Sequence, residues 1–213
     1  MPSHVHRRQL LTTAVAASAG ALLPTAWAQA AGRSPLALTP SQMEGPFYPV
    51  ALPADTDADL LRNGALDYRP SQVAWVEGVV KDPDGAPVAG AVVEIWQCDD
   101  HGHYHHPGDG SRADKAFQGF GRVTVGADGR YRFKTLKPVP YTGRTPHIHF
   151  KVKLGPHHLL TTQLYVAGHP GNAQDGLWRR LSATERAALT VPFEPDRTTP
   201  GGVKAQFPIV VMA

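Results

Sequence analysis

The sequence holds a single cysteine, Cys98. No internal disulfide can staple the chain, so apolar burial and hydrogen bonding must hold its fold. Cys98 closes the apolar run Val92-Val93-Glu94-Ile95-Trp96-Gln97 and has no basic neighbour, which predicts a buried structural thiol rather than a nucleophile. Charge is also sparse. Only 18% of residues are Asp, Glu, Lys or Arg, and the formal net charge is +3. No lysine–arginine cluster is present that could track a phosphate backbone, so nucleic acid is excluded as a partner. There is no internal repeat, no low-complexity tract and, past the first residues, no long apolar run.

The one uncharged, Leu- and Ala-rich stretch is Gln9 to Pro24, preceded by Arg7-Arg8 and followed by Ala26-Trp27-Ala28. It is too short and too weakly apolar to anchor in a bilayer, and the small-x-small ending suits signal peptidase. Residues 1–28 are therefore expected to be an export leader, and Arg7-Arg8 before Gln9-Leu10-Leu11 points to the twin-arginine route for folded proteins. That would place the protein in the periplasm or outside the cell. About 185 residues remain for residues 29–213, enough for one domain with a sizeable core, and their net charge is near +1.

What is abundant is glycine and proline, 21 and 20 residues, which predicts many turns and short strands. Val73 to Val80 reads as a strand closed by the turn Asp82-Pro83-Asp84-Gly85, and Ala91 to Gln97 as the next. Val123 to Val125 and Tyr131 to Phe133 flank Gly126-Ala127-Asp128-Gly129, a hairpin signal. His147 to Leu154, Leu159 to Val166 and Val203 to Val211 follow. One short helix is expected after the capping box Ser182-Ala183-Thr184-Glu185. Glu44-Gly45-Pro46-Phe47-Tyr48-Pro49 can only be an irregular loop. The fold class is all-β, an antiparallel β-sandwich with short helices and long loops about its site.

The strand His147-Ile148-His149-Phe150-Lys151-Val152-Lys153-Leu154 carries the chemistry. Side chains alternate along a strand, so Ile148, Phe150, Val152 and Leu154 share the core face and His147 and His149 share the other. Two residues of rise separate the imidazoles by roughly 7 Å at the backbone, close enough to converge on one ion. Upstream, the rigid Pro138-Val139-Pro140-Tyr141-Thr142-Gly143-Arg144-Thr145-Pro146 brings Tyr141 and Arg144 to the same strand end. On the following strand Gln163 shares a face with Thr161 and Tyr165. The loop Asp99-Asp100-His101-Gly102-His103-Tyr104-His105-His106-Pro107 adds a tyrosine and four histidines. Histidines alone would favour zinc, copper or nickel, whereas hard, anionic phenolate favours iron(III), and spacing does not choose between them.

These residues resemble the intradiol ring-cleavage dioxygenases, including the protocatechuate and catechol enzymes. The resemblance is carried by Gly78 to Gly85, Val93-Glu94-Ile95-Trp96-Gln97, Gly102-His103-Tyr104-His105, Lys137 to Tyr141, Arg144 to Phe150, Thr162-Gln163-Leu164-Tyr165 and Glu44-Gly45-Pro46-Phe47-Tyr48, in consistent order over roughly residues 40–170. It implies iron(III) held by Tyr104, Tyr141, His147 and His149, with Tyr141 and His149 axial and Tyr104 and His147 equatorial beside a hydroxide. It further implies that a catechol chelates the iron, displacing Tyr141, and that dioxygen opens the ring to a muconate-type diacid. Arg144, Gln163 and Tyr141 are then the expected catalytic residues. The chain departs from the protocatechuate enzymes in having only Thr142-Gly143 between Tyr141 and Arg144, without the tryptophan that usually follows that tyrosine.

The expected partners are thus a small catechol-type molecule and dioxygen, with no nucleic acid and no membrane, and a homo-oligomer is compatible with the sequence. Two other readings stand beside this one. Gly78 to Val93 also looks like a transthyretin-type β-sandwich that only binds, and His101, His103, His105 and His106 could instead hold zinc or copper.

Overall fold

The computed structural model describes Met1 and residues 34–213. The expected leader over residues 1–28, Met1 apart, lies outside the described residues. Pro35–Ala213 forms one compact unit. A small ribbon (β1, Arg62–Asn63; β2, Leu66–Asp67) precedes two five-stranded sheets. The first sheet contains β3 (Val73–Lys81), β6 (Arg130–Leu136), β10 (Glu194–Pro195), β11 (Val203–Gln206) and β12 (Ile209–Val210). The second runs in the order β5 (Phe120–Thr124), β4 (Val92–Trp96), β7 (His147–Leu154), β8 (His157–Val166) and β9 (Thr190–Val191). Two short helices, α1 (Gly176–Arg180) and α2 (Ala183–Leu189), sit between β8 and β9. Among the described residues no helix is long and apolar enough to cross a membrane.

The sheets pack face to face over one apolar core, as a sandwich requires. Val93 and Ile95 of β4, Ile148, Phe150 and Val152 of β7, and Leu160 and Leu164 of β8 meet Val76, Val80, Tyr131, Phe133, Ala205 and Phe207 of the other sheet. Phe150 lies at the centre, its ring centroid 5.0 Å from that of Phe207 and 6.0 Å from that of Tyr131. Cys98 is buried and its thiol is pushed up to about 12, by burial first and then by the charge of Asp99, so it is the inert thiol expected.

Several local expectations need correction. Gly126–Gly129 does form a turn, with Gly129 N–H bonded to the Gly126 carbonyl at 3.0 Å. It is not a hairpin, because β5 pairs with β4 and β6 with β3; the turn carries the chain from one sheet to the other. The sandwich is not wholly antiparallel either. β11 and β12 run parallel to β3, and β9 parallel to β8, because these late strands return after long connections rather than tight turns. The predicted strand Val203 to Val211 is split at Phe207-Pro208, where proline has no N–H for the ladder. The capping box of α2 is present as expected. α1, capped by Asp175, was not expected.

Phe150→Ala is expected to cost about 3–5 kcal/mol, since the cavity would open in the middle of a close-packed core. Denaturant unfolding of the variant against the parent protein measures it.

Candidate metal centre

The strand register of the second sheet lays out its outer face in rows. Trp96 stands between Phe120 and His149, and His149 stands beside Gln163; one row further, His147 stands beside Tyr165; in the other direction, Arg122, Glu94, Lys151 and Thr161 align. This face is covered rather than solvated. The segment after Pro35 runs across it, with Gln42 N–H bonded to the Thr161 carbonyl at 2.8 Å and the Thr162 hydroxyl to the Pro40 carbonyl at 2.6 Å. Beneath that cover Glu94, although fully buried, is satisfied by Lys153 at 2.9 Å and by the Tyr48 hydroxyl at 2.8 Å. The Lys151 ammonium lies 3.4 Å from the centroid of the Tyr48 ring and pairs with Glu44.

Both histidines are 1% exposed, so they are not surface residues. Their Nε2 atoms face each other at 3.2 Å. His147 Nδ1 lies 2.6 Å from the Thr145 carbonyl; that acceptor requires a proton on Nδ1 and leaves a lone pair on Nε2. Trp96 stacks on the His149 ring, centroids 4.7 Å apart and planes within 9°, and fixes its orientation. The tyrosines close in from two loops. Tyr104 is 2% exposed, its ring centroid 6.2 Å from that of His149 and 5.4 Å from that of Tyr141. Tyr141 lies 5.4 Å from His147 by the same measure. Phe47 stacks on Tyr104 at 4.6 Å and closes the cluster on its outer side.

The loop that delivers Tyr104 is shaped by buried Asp99, whose carboxylate accepts from the backbone N–H groups of His101, His103 and Asp114 at 2.9, 3.0 and 2.8 Å. Gly102, at φ 79°, lets this loop press on the next; a Cβ there would meet the Cβ of Tyr141 at 3.1 Å. Tyr141 and Arg144 are the ends of one tight turn, with Arg144 N–H bonded to the Tyr141 carbonyl at 2.9 Å and Gly143 at φ 77°, the left-handed position that favours glycine.

The donor atoms of this cluster suit a metal ion, whereas burial and the Arg144 charge oppose a lone added proton. Burial, reinforced by the Arg144 charge, depresses His147 to about 3, and burial with His147 and Arg144 holds His149 well below the usual imidazole range. Both rings are neutral, so at most one N–H···N hydrogen bond joins the facing Nε2 atoms, and it leaves His149 Nδ1 an acceptor without a donor. Burial also raises Tyr104 well above an ordinary phenol, and raises Tyr141 despite the opposing Arg144 charge. The Tyr104 hydroxyl is buried with no hydrogen-bond partner, an arrangement costing about 1–3 kcal/mol unless something meets it. A multivalent cation would meet it, take a lone pair from each facing imidazole nitrogen and draw the protons off the phenols. Two phenol oxygens and two imidazole nitrogens form a hard donor set that fits trivalent iron better than zinc. His149 Nδ1 is buried without a partner too, unlike its neighbour.

Beside the donors stands a polar clamp. Arg144 bonds the Gln163 amide oxygen through Nη2 at 2.6 Å and the Asp175 carboxylate through Nε at 2.8 Å. Gln163 in turn donates to the Met43 carbonyl at 3.0 Å and accepts from the Tyr165 hydroxyl at 3.2 Å. Arg144 is thus a salt-bridge arginine that also borders the cluster. The loop histidines do not join the centre. His105 Nε2 meets the Phe117 carbonyl, His106 Nδ1 accepts from Gly108 N–H at 3.0 Å, His103 Nδ1 lies 3.5 Å from Asp109, and His101 is exposed. Among the described residues no three His, Cys, Asp or Glu side chains come together as a metal site, which removes the support for the zinc or copper reading. Trp96, Asp99 and Asp175 were missed in the sequence. Trp96 could have been found by pairing its strand with the histidine strand, whereas Asp99 and Asp175 carry only the signal of Asp before a turn and before a short helix.

A family model described as dioxygenase matches residues 43–180. The chain is 35% identical over 189 residues to catechol 1,2-dioxygenase 1 of Acinetobacter lwoffii, covering 78% of this chain and 57% of that one. It is 36% identical over 157 residues to the protocatechuate 3,4-dioxygenase beta chain of Burkholderia cepacia, covering 68% and 66%. The chain thus spans about half to two thirds of the curated relatives it matches. Among solved structures, the dioxygenase domain of a dioxygenase–carbohydrate-binding fusion from Streptomyces sp. SirexAA-E is 30% identical, with a TM-score of 0.63 and coverage of 82% of this chain and 97% of that one. An intradiol ring-cleavage dioxygenase from Tetranychus urticae, at 19% identity, TM-score 0.66 and coverage of 83% and 95%, shares the fold.

The depressed imidazoles have a consequence for the metal-free protein. Their folded pKa lies below the unfolded value, so the unfolded chain binds more protons. Stability is therefore present above pH 6.5 and is lost as pH falls from 6.5 toward about 3, by up to about 1.4 kcal/mol per pH unit for each ring. His147→Gln is expected to flatten that dependence in denaturant titrations across the window; superimposable slopes would take His147 out of the titrating set.

Proposed function

The chain belongs to the dioxygenase family of intradiol ring-cleaving enzymes, and on that premise we propose that it cleaves a catechol-type ring with dioxygen, using iron(III), to give a muconate-type diacid. The convergence of Tyr104, Tyr141, His147 and His149 about one pair of facing imidazole nitrogens carries this reading. Those four side chains would hold the metal. Bound there, ferric iron would supply the Lewis acidity that draws charge from a chelated catecholate and makes its ring reactive toward dioxygen.

The protein's own groups divide the remaining work. Tyr104, 2% exposed, would be the tyrosine that stays in place among the groups holding the metal. Tyr141 is half-buried at a turn, and burial raises its proton affinity, which suits it to give way to substrate and take up a catechol proton on its oxygen. The Arg144 guanidinium, charged and held beside the cluster, stabilises negative charge as it moves onto ring carbon and oxygen. Gln163 fixes one edge of that guanidinium and is itself fixed by Met43 and Tyr165. Trp96 and Phe47 wall the donors off from water. The adhesive sandwich reading needs none of these buried donors.

Substrate and location belong to the same proposal. The relatives are named for catechol, protocatechuate and hydroxyquinol, which supports a small dihydroxylated ring without choosing its substituents. Arg7-Arg8, the apolar stretch to Pro24 and Ala26-Trp27-Ala28 support export to the periplasm or beyond. A catechol panel offered under oxygen to the iron-loaded protein tests the activity, read as muconate-type absorbance.

Tyr141→Phe is expected to bleach or shift the visible tyrosinate band and to lower ring cleavage sharply; an unchanged spectrum would take Tyr141 out of the ligand set. Arg144→Ala should keep iron and colour while turnover falls on the order of 10²-fold, and unaltered turnover would end its assigned role.

A further inference from the structure

Asp175 lies outside the donor cluster, yet it is fully buried and its two oxygens divide between two tasks. Its Oδ2 accepts from Arg144 Nε at 2.8 Å and from Thr145 N–H at 3.0 Å, while its Oδ1 accepts from Leu177 N–H at 2.9 Å and Trp178 N–H at 3.0 Å. One oxygen caps α1 and the other grips the end of the Tyr141–Arg144 turn. Thr145 continues the chain of contacts: its hydroxyl donates to the Asn172 side chain at 2.7 Å, and its carbonyl meets His147 Nδ1 at 2.6 Å.

We propose that Asp175 is a positioning residue of the ring-cleavage reaction, holding the Arg144 guanidinium in one orientation against Gln163; the inference rests on the function proposed above. A guanidinium on a four-bond stem has many rotamers, and stabilising charge that appears only in the transition state requires it to be in place beforehand. Gln163 contacts Nη2 and Asp175 contacts Nε, so two edges of the planar group are fixed. A neutral glutamine alone fixes one point and leaves rotation about it. The carboxylate adds the second point through a charge-assisted bond in a site closed to water. The side chain that anchors the arginine is rooted in a helix cap, so the geometry of α1 is transmitted to the site without a contact between Asp175 and substrate.

The test separates tethering from bulk stability. In Asp175→Asn one oxygen can still cap α1, but the amide nitrogen then faces the Arg144 and Thr145 donors and cannot accept. Turnover should fall about tenfold or more with KM changed far less, and iron content and the visible band should be retained. In an Arg144→Ala background the same change should have almost no further effect on turnover, because the group it positions is gone. An equal fold-loss in both backgrounds would overturn the proposal and leave Asp175 a structural residue. Asp175→Ser, which also caps helices but cannot reach Arg144, serves if the Asn variant folds poorly, and should show the same non-additivity. A second readout needs no turnover: in the 15N-labelled full chain, the Arg144 Nε–H should exchange slowly with water in the parent and rapidly in Asp175→Asn. Unchanged protection would sink the tether. A parent protein inactive on every catechol would refute the ring-cleavage reading instead, while the exchange measurement still decides whether the carboxylate fixes the arginine.

Discussion

The facing of His147 and His149 across 3.2 Å, with both rings neutral and buried, is the constraint around which the site is organised. Two neutral rings so placed can share a single N–H···N bond, which strands His149 Nδ1 without a partner, or can turn both Nε2 lone pairs on one cation. Everything near the pair either fixes that arrangement or brings a further donor atom toward it. The Thr145 carbonyl forces the tautomer of His147, Trp96 fixes the plane of His149, and the phenols of Tyr104 and Tyr141 bring oxygen toward the same place. The proposed metal binding would therefore be a property of the whole pocket, since any one of these groups alone would be an ordinary core residue.

That pair exists because β7 must face two ways. Its even-numbered residues, Ile148, Phe150 and Val152, sit in the core, and alternation sends His147, His149, Lys151 and Lys153 to the opposite side. An outer face of this kind is usually wet. Here the strap after Pro35 and the loops bearing Tyr104 and Tyr141 cover it, so its charged residues need internal partners, and Glu94 with Lys153 and Tyr48, and Lys151 with Glu44, supply them. The second buried layer, polar and aromatic, lets the sandwich hold chemistry on a face that the apolar core does not use.

This division also governs what could be read in the sequence. β7 was legible to the residue, because eight positions of strict alternation leave one register. So were the capping box of α2 and the burial of Cys98, both fixed by neighbours in sequence. The four donors and Arg144 and Gln163 were legible through their setting, and the structure brings them together. The turn at Gly126–Gly129 was misread, since turn chemistry says that the chain reverses and says nothing of which sheet receives the next strand. The parallel pairing of β11 and β12 with β3 was invisible for the same reason. Burial of the two histidines depends on a covering strap more than a hundred residues away, and no local pattern encodes it.

The Tyr141–Arg144 turn shows what such long-range support achieves. The two side chains are three residues apart and have opposite requirements in the proposed reaction, one to give way and the other to stay. Their surroundings differ accordingly. Tyr141 is half-buried and bordered by ring edges, of Phe47 at 6.1 Å, Tyr104 at 5.4 Å and His147 at 5.4 Å, non-directional contacts that tolerate displacement at small cost. Arg144 is held by directional, charge-assisted bonds to Asp175 and Gln163, which weaken steeply with angle. Gly143 stands between them with open space where a side chain would be, so nothing packs against the middle of the turn. One short turn can thus supply an exchangeable ligand and a fixed charge, because apolar packing holds one end and hydrogen bonds from a distant helix cap hold the other.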